Sequence, residues 1–577
     1  MSSKLLEQTE LEKLFENAPL PDGCSLIGSH LVQEIKGRDG KVRTTVLGAP
    51  LLFVARFNSP SGGVQVGISF LDQDGNLKLI VVPAGDLLRP AITTTLADAG
   101  WTMTDAPGVR KRLHAMYNSI SAELPTYTIV QKNGMQSCNA AFVMDQRRFG
   151  PNAQRLVLGG APFGFQTSGS LESWKAKVAV PLCGEPLLAA CLCMPFAAPI
   201  KHVLLQHGAV INLIGKTSTG KTTGVKIATS AFTNPKYGVN TWAATEAGLD
   251  DLVEKYSGFL LPIDEIKSGI NIKKTTTTLY RLAGQRTRHK ANDYGGGVVT
   301  ETLVLSTEEI SGYVTRGDLA EDGGAVRFFD VPIGNHAGGI FQGATDVVTG
   351  AALAKSLSTA AYENYGTPLP VFIERLLERD WIPEAQATLA DTQRAFFSTE
   401  LDALSLRGLD VFASFATAGR LAVRMDILPW TEDYVIAACK LMFDNWRSRE
   451  ELRPPTVGSR DPATILANAA KAADLISKIK TALGDIRPLN ELRAAGVALK
   501  PATDATCPAF THEHDGKDLM CVGDCRFATI VGADKKLASL IALRAAGKLR
   551  VNKAGTGFKL SITIAGSTEQ FIAIDPT

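Results

Sequence analysis

The stretch Val210-Ile211-Asn212-Leu213-Ile214-Gly215-Lys216-Thr217-Ser218-Thr219-Gly220-Lys221-Thr222-Thr223 decides how the rest of this chain is read. An apolar run, Val210–Ile214, meets a loop, and Gly215 to Thr222 fit G-x-x-x-x-G-K-[ST] without a mismatch. Glycines let backbone N–H groups curl around phosphate oxygens. Lys221 can set an ammonium against the β and γ phosphates, and the Thr222 hydroxyl can reach Mg²⁺. Helical spacing over Lys221–Phe232 aims the positive end of a helix at the same anion. Strand, loop and helix agree on an ATP site, with Gly215, Lys216, Thr217, Ser218, Thr219, Gly220, Lys221, Thr222 and Thr223 around the nucleotide.

Downstream, Phe259-Leu260-Leu261-Pro262-Ile263 runs into Asp264-Glu265. Two adjacent acids at a buried strand end carry a desolvation cost that a cation relieves. In a phosphate-loop ATPase the first acid, Asp264, shares Mg²⁺ with Thr222, and the second, Glu265, polarises the attacking water. The next apolar run, Thr302–Leu305, ends in Ser306 and Thr307, where ATPases of the AAA+ type place a polar sensor of the γ-phosphate; Ser306 is the expected sensor, and a helix cap is the plainer use. Arg327, before Phe328-Phe329-Asp330, resembles the arginine finger of hexameric motors; the plainer use is a salt bridge to Asp330.

Between Asp264 and Ser306 the chain is basic, with Lys273, Lys274, Arg281, Arg286, Arg288, His289 and Lys290, and it carries the triplet Gly295–Gly297. A projecting loop with these cations would meet DNA phosphates in a pore, or else be a solvated surface loop.

The fold class expected is α/β: a phosphate-loop core of the AAA+ type, a β-rich N-terminal region, a helical lid and a C-terminal winged helix. Strands alternate with helices from Val203 to Ile333, which argues for a parallel sheet. Residues 1–125 read as a mixed α/β accessory domain and 126–200 as a β-rich connection. The ATPase core takes 201–345, the lid 346–452, a helical linker 453–500 and the winged-helix-like tail 501–577. In the tail, a helix over Asp534–Ala546 precedes an expected hairpin of Lys548–Val551 with Phe558–Ile564. Lys535, Lys536, Arg544 and Lys548 are its candidate DNA contacts.

At 577 residues the chain is too long for one ordinary domain, and a formal charge of +2 leaves DNA contact to local patches. Nine cysteines at irregular spacing argue against a disulfide framework and for a reducing, cytoplasmic setting. Cys507, His512, His514, Cys521 and Cys525 are zinc-ligand types, but without a C-x₂-C pair they read first as a polar loop with two half-buried cysteines. The N-terminus lacks the apolar core of a signal peptide, and no uninterrupted apolar stretch approaches a membrane span, so no membrane partner is expected.

These segments together resemble a family of unknown function labelled "superfamily II helicases and inactivated derivatives", common in phages, satellites and integrative elements. It includes the self-loading replicative helicases of staphylococcal cassette chromosomes, relatives of MCM-type AAA+ helicases. The match runs through Ile214–Thr223, Thr241–Leu249, Leu261–Ile266, Ser306–Glu308, Gly324–Arg327, Phe415–Ala422 and Pro429–Trp446, and weakens over the first hundred residues. Arg420 stands where the family carries an acid after Ala-Gly; Arg407, Arg420 and Arg424 are the lid arginines open to a phosphate-sensing role. The resemblance implies an ATP- and Mg²⁺-dependent DNA helicase or translocase, forming a hexameric ring and replicating a phage, satellite or mobile element. ATP would then lie between subunits, with Arg327 acting in trans. The rivals are a phosphate-loop ATPase switching a defence or regulatory assembly, and a DNA-binding module whose ATP site only holds its fold.

Overall fold

The computed structural model describes residues 5–576 apart from 267–301, 310–326, 451–461 and 551–558, with shorter breaks of one to three residues elsewhere. At its centre, five strands form one parallel sheet: β1 (Val210–Gly215), β2 (Asn240–Thr241), β3 (Leu260–Ile266), β4 (Leu303–Glu309) and β5 (Phe328–Pro332). Their order is β2-β3-β4-β1-β5, so β4 separates the phosphate-loop strand from the acidic strand. β1 is buried along its whole length, as expected of a parallel strand covered on both faces. Its one polar residue, Asn212, donates from its amide to Glu308 on β4 and Asp330 on β5, both at 2.8 Å. That side chain ties the three strands together.

Around the sheet lie α1 (Pro186–Ala197), α2 (Lys221–Ser230), α3 (Val347–Glu363), α4 (Ala403–Arg424) and α5 (Glu432–Glu450). α1 touches α2, α4 and α5. Every residue from Leu187 to Ala197 is buried, and a helix apolar all round must be a core element. A 3-10 turn at Ala198–Ile200, holding Pro199, joins this helix to the short helix Lys201–Leu204; the run Pro186–Leu204 is long and apolar enough to cross a membrane, yet 89% of it is buried inside the protein. The helices after the sheet are tied by charge as well. Arg420 bonds Asp391 (2.9 Å) and Glu432 (2.7 Å), and Arg424 bonds Glu432 (2.8 Å).

The N-terminal sheet orders Leu156–Leu158, Thr126–Val130, Leu51–Asn58, Val64–Leu71 and Leu77–Pro83. It runs across the division expected at residues 125 and 126. Helices Ala91–Asp98 and Val109–Ile120 cover one face, and helix Gln8–Glu16 covers the other. This unit joins the core through Asp145, whose carboxylate accepts backbone N–H groups from Phe163 (2.7 Å), Gly164 (2.8 Å) and Phe165 (3.1 Å). Phe163 then packs edge-on to Tyr256, and Phe165 against Phe259, at the entry to β3.

In the tail, Lys517–Val522 leads to helices Asp524–Val531 and Lys536–Ala545, and the strand Ser567–Ile574 lies between Lys517–Val522 and Leu549–Arg550. The expected hairpin is thus corrected: Leu560–Ile564 pairs with Ser567–Ile574, and so does Leu549–Arg550. The last strand is long enough to serve both, offering Ser567–Phe571 to Leu560–Ile564 and Ala573-Ile574 to Leu549-Arg550.

Candidate active site

Backbone handedness shapes the loop between β1 and α2. Ser218 (φ 61°) and Gly220 (φ 86°) both adopt the left-handed conformation, so successive N–H groups converge. A Cβ on Gly220 would lie 2.5 Å from the Phe341 ring and 2.8 Å from Ile340. Those residues belong to a segment that crosses the loop after β5, where Ile340 N–H donates to Thr219 O at 2.9 Å. Glu185, just before α1, pins that segment by accepting from Gln342 N (2.6 Å) and Gly343 N (3.1 Å). Burial raises the Glu185 pKa, and the two N–H groups oppose the rise. Glu185 and the crossing segment escaped the sequence reading, since neither carries a local motif.

Inside the loop, the Lys221 ammonium donates to Lys216 O (2.6 Å) and Gly215 O (3.1 Å). Its side chain is buried, and burial pulls its pKa below the usual lysine value; the fields of Glu309, Asp264 and Glu265 oppose that shift. Thr222, one residue on, donates to Asp264 Oδ1 at 3.1 Å. Loop and acidic strand therefore meet at one carboxylate oxygen.

The acids stand where β3 breaks register with β4, between Ile263 and Ile266. A bulge re-aims side chains at a strand end. Glu265 takes φ 55°, a conformation uncommon for a residue with a Cβ and held by its surroundings. One such hold is its N–H, which donates to Thr307 Oγ1 at 2.9 Å. The Thr307 hydroxyl in turn donates to Asp264 Oδ1 at 2.7 Å. Of the two hydroxyls ending β4, the geometry thus brings Thr307 to the acids. Ser306, the expected sensor, is buried and takes the Trp242 indole N–H at 2.8 Å instead. Alternate strand residues face opposite sides of a sheet, so only one of the pair can reach Asp264.

Arg327 lies at the other end of the sheet. Its carbonyl accepts from Val210 N at 2.9 Å, beside the start of β1. The loop begins at the end of β1, roughly 16 Å away at ~3.3 Å per residue. Asp330 faces Asn212. On α4, Arg420 and Arg424 are held by the carboxylates named above, whereas Arg407 is exposed. Lys273, Lys274, Arg281, Arg286, Arg288, His289 and Lys290 lie outside the described residues, as does Lys535. Lys536 pairs with Asp524 at 2.7 Å. Among the described residues no three His, Cys, Asp or Glu side chains converge as a metal site; Cys507 and Cys521 are core residues of the tail, packed with Phe510 and Phe571.

The donor set suits a magnesium-bound nucleotide. Glycine conformations open the loop to phosphate oxygens, Lys221 brings the cation, and Thr222 and Asp264 supply two adjacent hard oxygens.

The family described as a domain of unknown function (DUF927) matches residues 28–299, a span that includes both the phosphate loop and the acidic strand. Comparison with curated proteins gives no match. Among solved structures, the chain is similar to one described as "SCCmec type IV Cch - active helicase". The TM-score is 0.57 and the identity 16%, over 96% of this chain and 97% of that one, so the likeness is one of fold.

Proposed function

From the match of residues 28–299 to the DUF927 family, we propose that the chain is an ATP-hydrolysing DNA helicase or translocase of the AAA+ type, working as a ring. The observation that carries the ATPase part is the meeting of Thr222 and Thr307 on Asp264 beside Lys221. The sheet order, with β4 inserted between β1 and β3, supports the AAA+ assignment. The tail's two helices and the strand order around Ser567–Ile574 support a winged helix, which suits contact with duplex DNA. Likeness of fold to a helicase over nearly the whole chain supports the motor reading. Service in the replication of a phage, satellite or mobile element, in the cytoplasm of the host cell, follows the family resemblance.

In this reading Lys221 holds the β and γ phosphates and Thr222 and Asp264 hold Mg²⁺, which when bound neutralises charge on the phosphates. Glu265 takes a proton from the attacking water, and Thr307, in place of Ser306, keeps Asp264 and Glu265 in register. The basic segment with Lys273, Lys274, Arg286, Arg288, His289 and Lys290 grips DNA through its phosphates.

Turnover measured with and without forked or single-stranded DNA tests the motor reading. DNA should raise turnover several-fold, and electron micrographs with an ATP analogue should show rings. Turnover indifferent to DNA would return the regulatory-switch reading.

Because Arg327 stands at the edge of the sheet remote from its own loop, its role is in trans, at a neighbouring subunit's phosphates. Arg327→Ala should bind nucleotide like the parent and lose turnover. Mixed with Lys221→Met chains, it should regain part of that turnover, since one interface in the mixed ring is then intact. A mixture no more active than either variant sinks the in-trans assignment.

A further inference from the structure

A third carboxylate stands at the phosphate loop, and the ATPase chemistry does not use it. Glu309 closes β4 and pairs in register with Gly215, the first residue of the loop. Its Oε1 accepts the Thr217 hydroxyl at 2.6 Å, a short bond to the loop's apex. Of the carboxylates acting on the Lys221 ammonium, Glu309 has the largest field, ahead of Asp264 and Glu265. Asp264 has Thr222 and Thr307 as hydroxyl partners and suits a cation. Glu309 instead bonds the loop itself through Thr217, and a negative charge there opposes an anionic ligand.

We propose that Glu309 is a latch on the phosphate loop: its carboxylate holds Thr217 and competes with nucleotide phosphates for Lys221, so it weakens nucleotide affinity and speeds release. The proposal rests on the ATP-site reading above. Its physical basis is the tie between a fixed negative charge and the loop that must receive a polyanion. Two like charges several ångströms apart at a partly exposed site repel by an amount that salt reduces. A triphosphate carries more charge than a diphosphate, so the latch bears hardest on the triphosphate.

Glu309→Gln removes the charge and keeps an oxygen able to accept from Thr217. Titration of the full-length chain with a fluorescent, non-hydrolysable ATP analogue and Mg²⁺ should show about tenfold tighter binding at low salt. The gain should shrink as salt rises, and it should be smaller for the matching diphosphate. Glu309→Asp, which keeps the charge, should bind nearer the parent. Equal or weaker binding by a Glu309→Gln chain that melts like the parent would overturn the latch, and so would a gain that ignores salt. Lys221→Met separates the two readings: if it leaves binding of the analogue unchanged, the nucleotide site itself is wrong. If it abolishes binding while Glu309→Gln brings no gain, only the latch fails.

Discussion

Lys221→Met is expected to cut ATP turnover by about 10²–10³-fold, the scale on which one preorganised charge acts in a transition state. Methionine is the right replacement because the Lys221 stem is buried between the loop and α2 and needs an apolar substitute. The ammonium presently donates to Gly215 O, in a buried bond, and to Lys216 O. A thermal melt run beside the turnover assay therefore separates lost chemistry from lost fold. Unchanged turnover in a folded variant would dismiss the whole site assignment.

The second large effect is at Glu265. Glu265→Gln should lower turnover by about 100-fold or more, the contribution expected of a general base, while ATP binding persists. Retention of bound ATP through a gel-filtration column is the discriminating readout. The argument is geometric. Glu265 is exposed, sits on the bulged end of β3 at φ 55°, and is held by its own N–H to Thr307; among the described residues its carboxyl has none of the hydroxyl ties that occupy Asp264. Glutamine keeps shape and backbone conformation and removes only the proton acceptor. Should turnover stay within a factor of a few, the water is polarised by another group, and Asp264→Asn becomes the variant to compare.

What the sequence could and could not tell follows from the range of each interaction. The motif G-x-x-x-x-G-K-[ST] and its flanking strand and helix are contiguous, and every feature of them is local, so the strand, turn and helix around Gly215–Thr222 were legible outright. Asp264 and Glu265 were legible because an apolar run ends on them. The choice between Ser306 and Thr307 was not, because it depends on the register of β4 against β3, and a bulge between Ile263 and Ile266 sets that register. Ile340 and Phe341 reach the loop from more than a hundred residues after it, and Glu185, thirty residues before it, pins them there; no periodicity reports such contacts. The same distance effect misled the tail, where Leu549–Arg550 skips the nearer strand and pairs with Ser567–Ile574. Asn212 is a polar residue inside an otherwise apolar strand. Only the neighbours that folding brings beside it, Glu308 and Asp330, explain why a polar residue is tolerated there.

The run Pro186–Leu204 has a consequence for how the protein comes into being. Its three main helical partners, α2, α4 and α5, follow it in the chain, and the last of them ends at Glu450. At a synthesis rate of about 5–20 residues per second, the run leaves the ribosome many seconds before its last cover has been made. During that interval a helix apolar on every side stands without its partners. Such a segment is drawn to lipid, to chaperones and to other copies of itself. The element that anchors the finished core is therefore the one that nascent chains must shield first, and the yield of soluble protein should fall when synthesis outruns the chaperone supply.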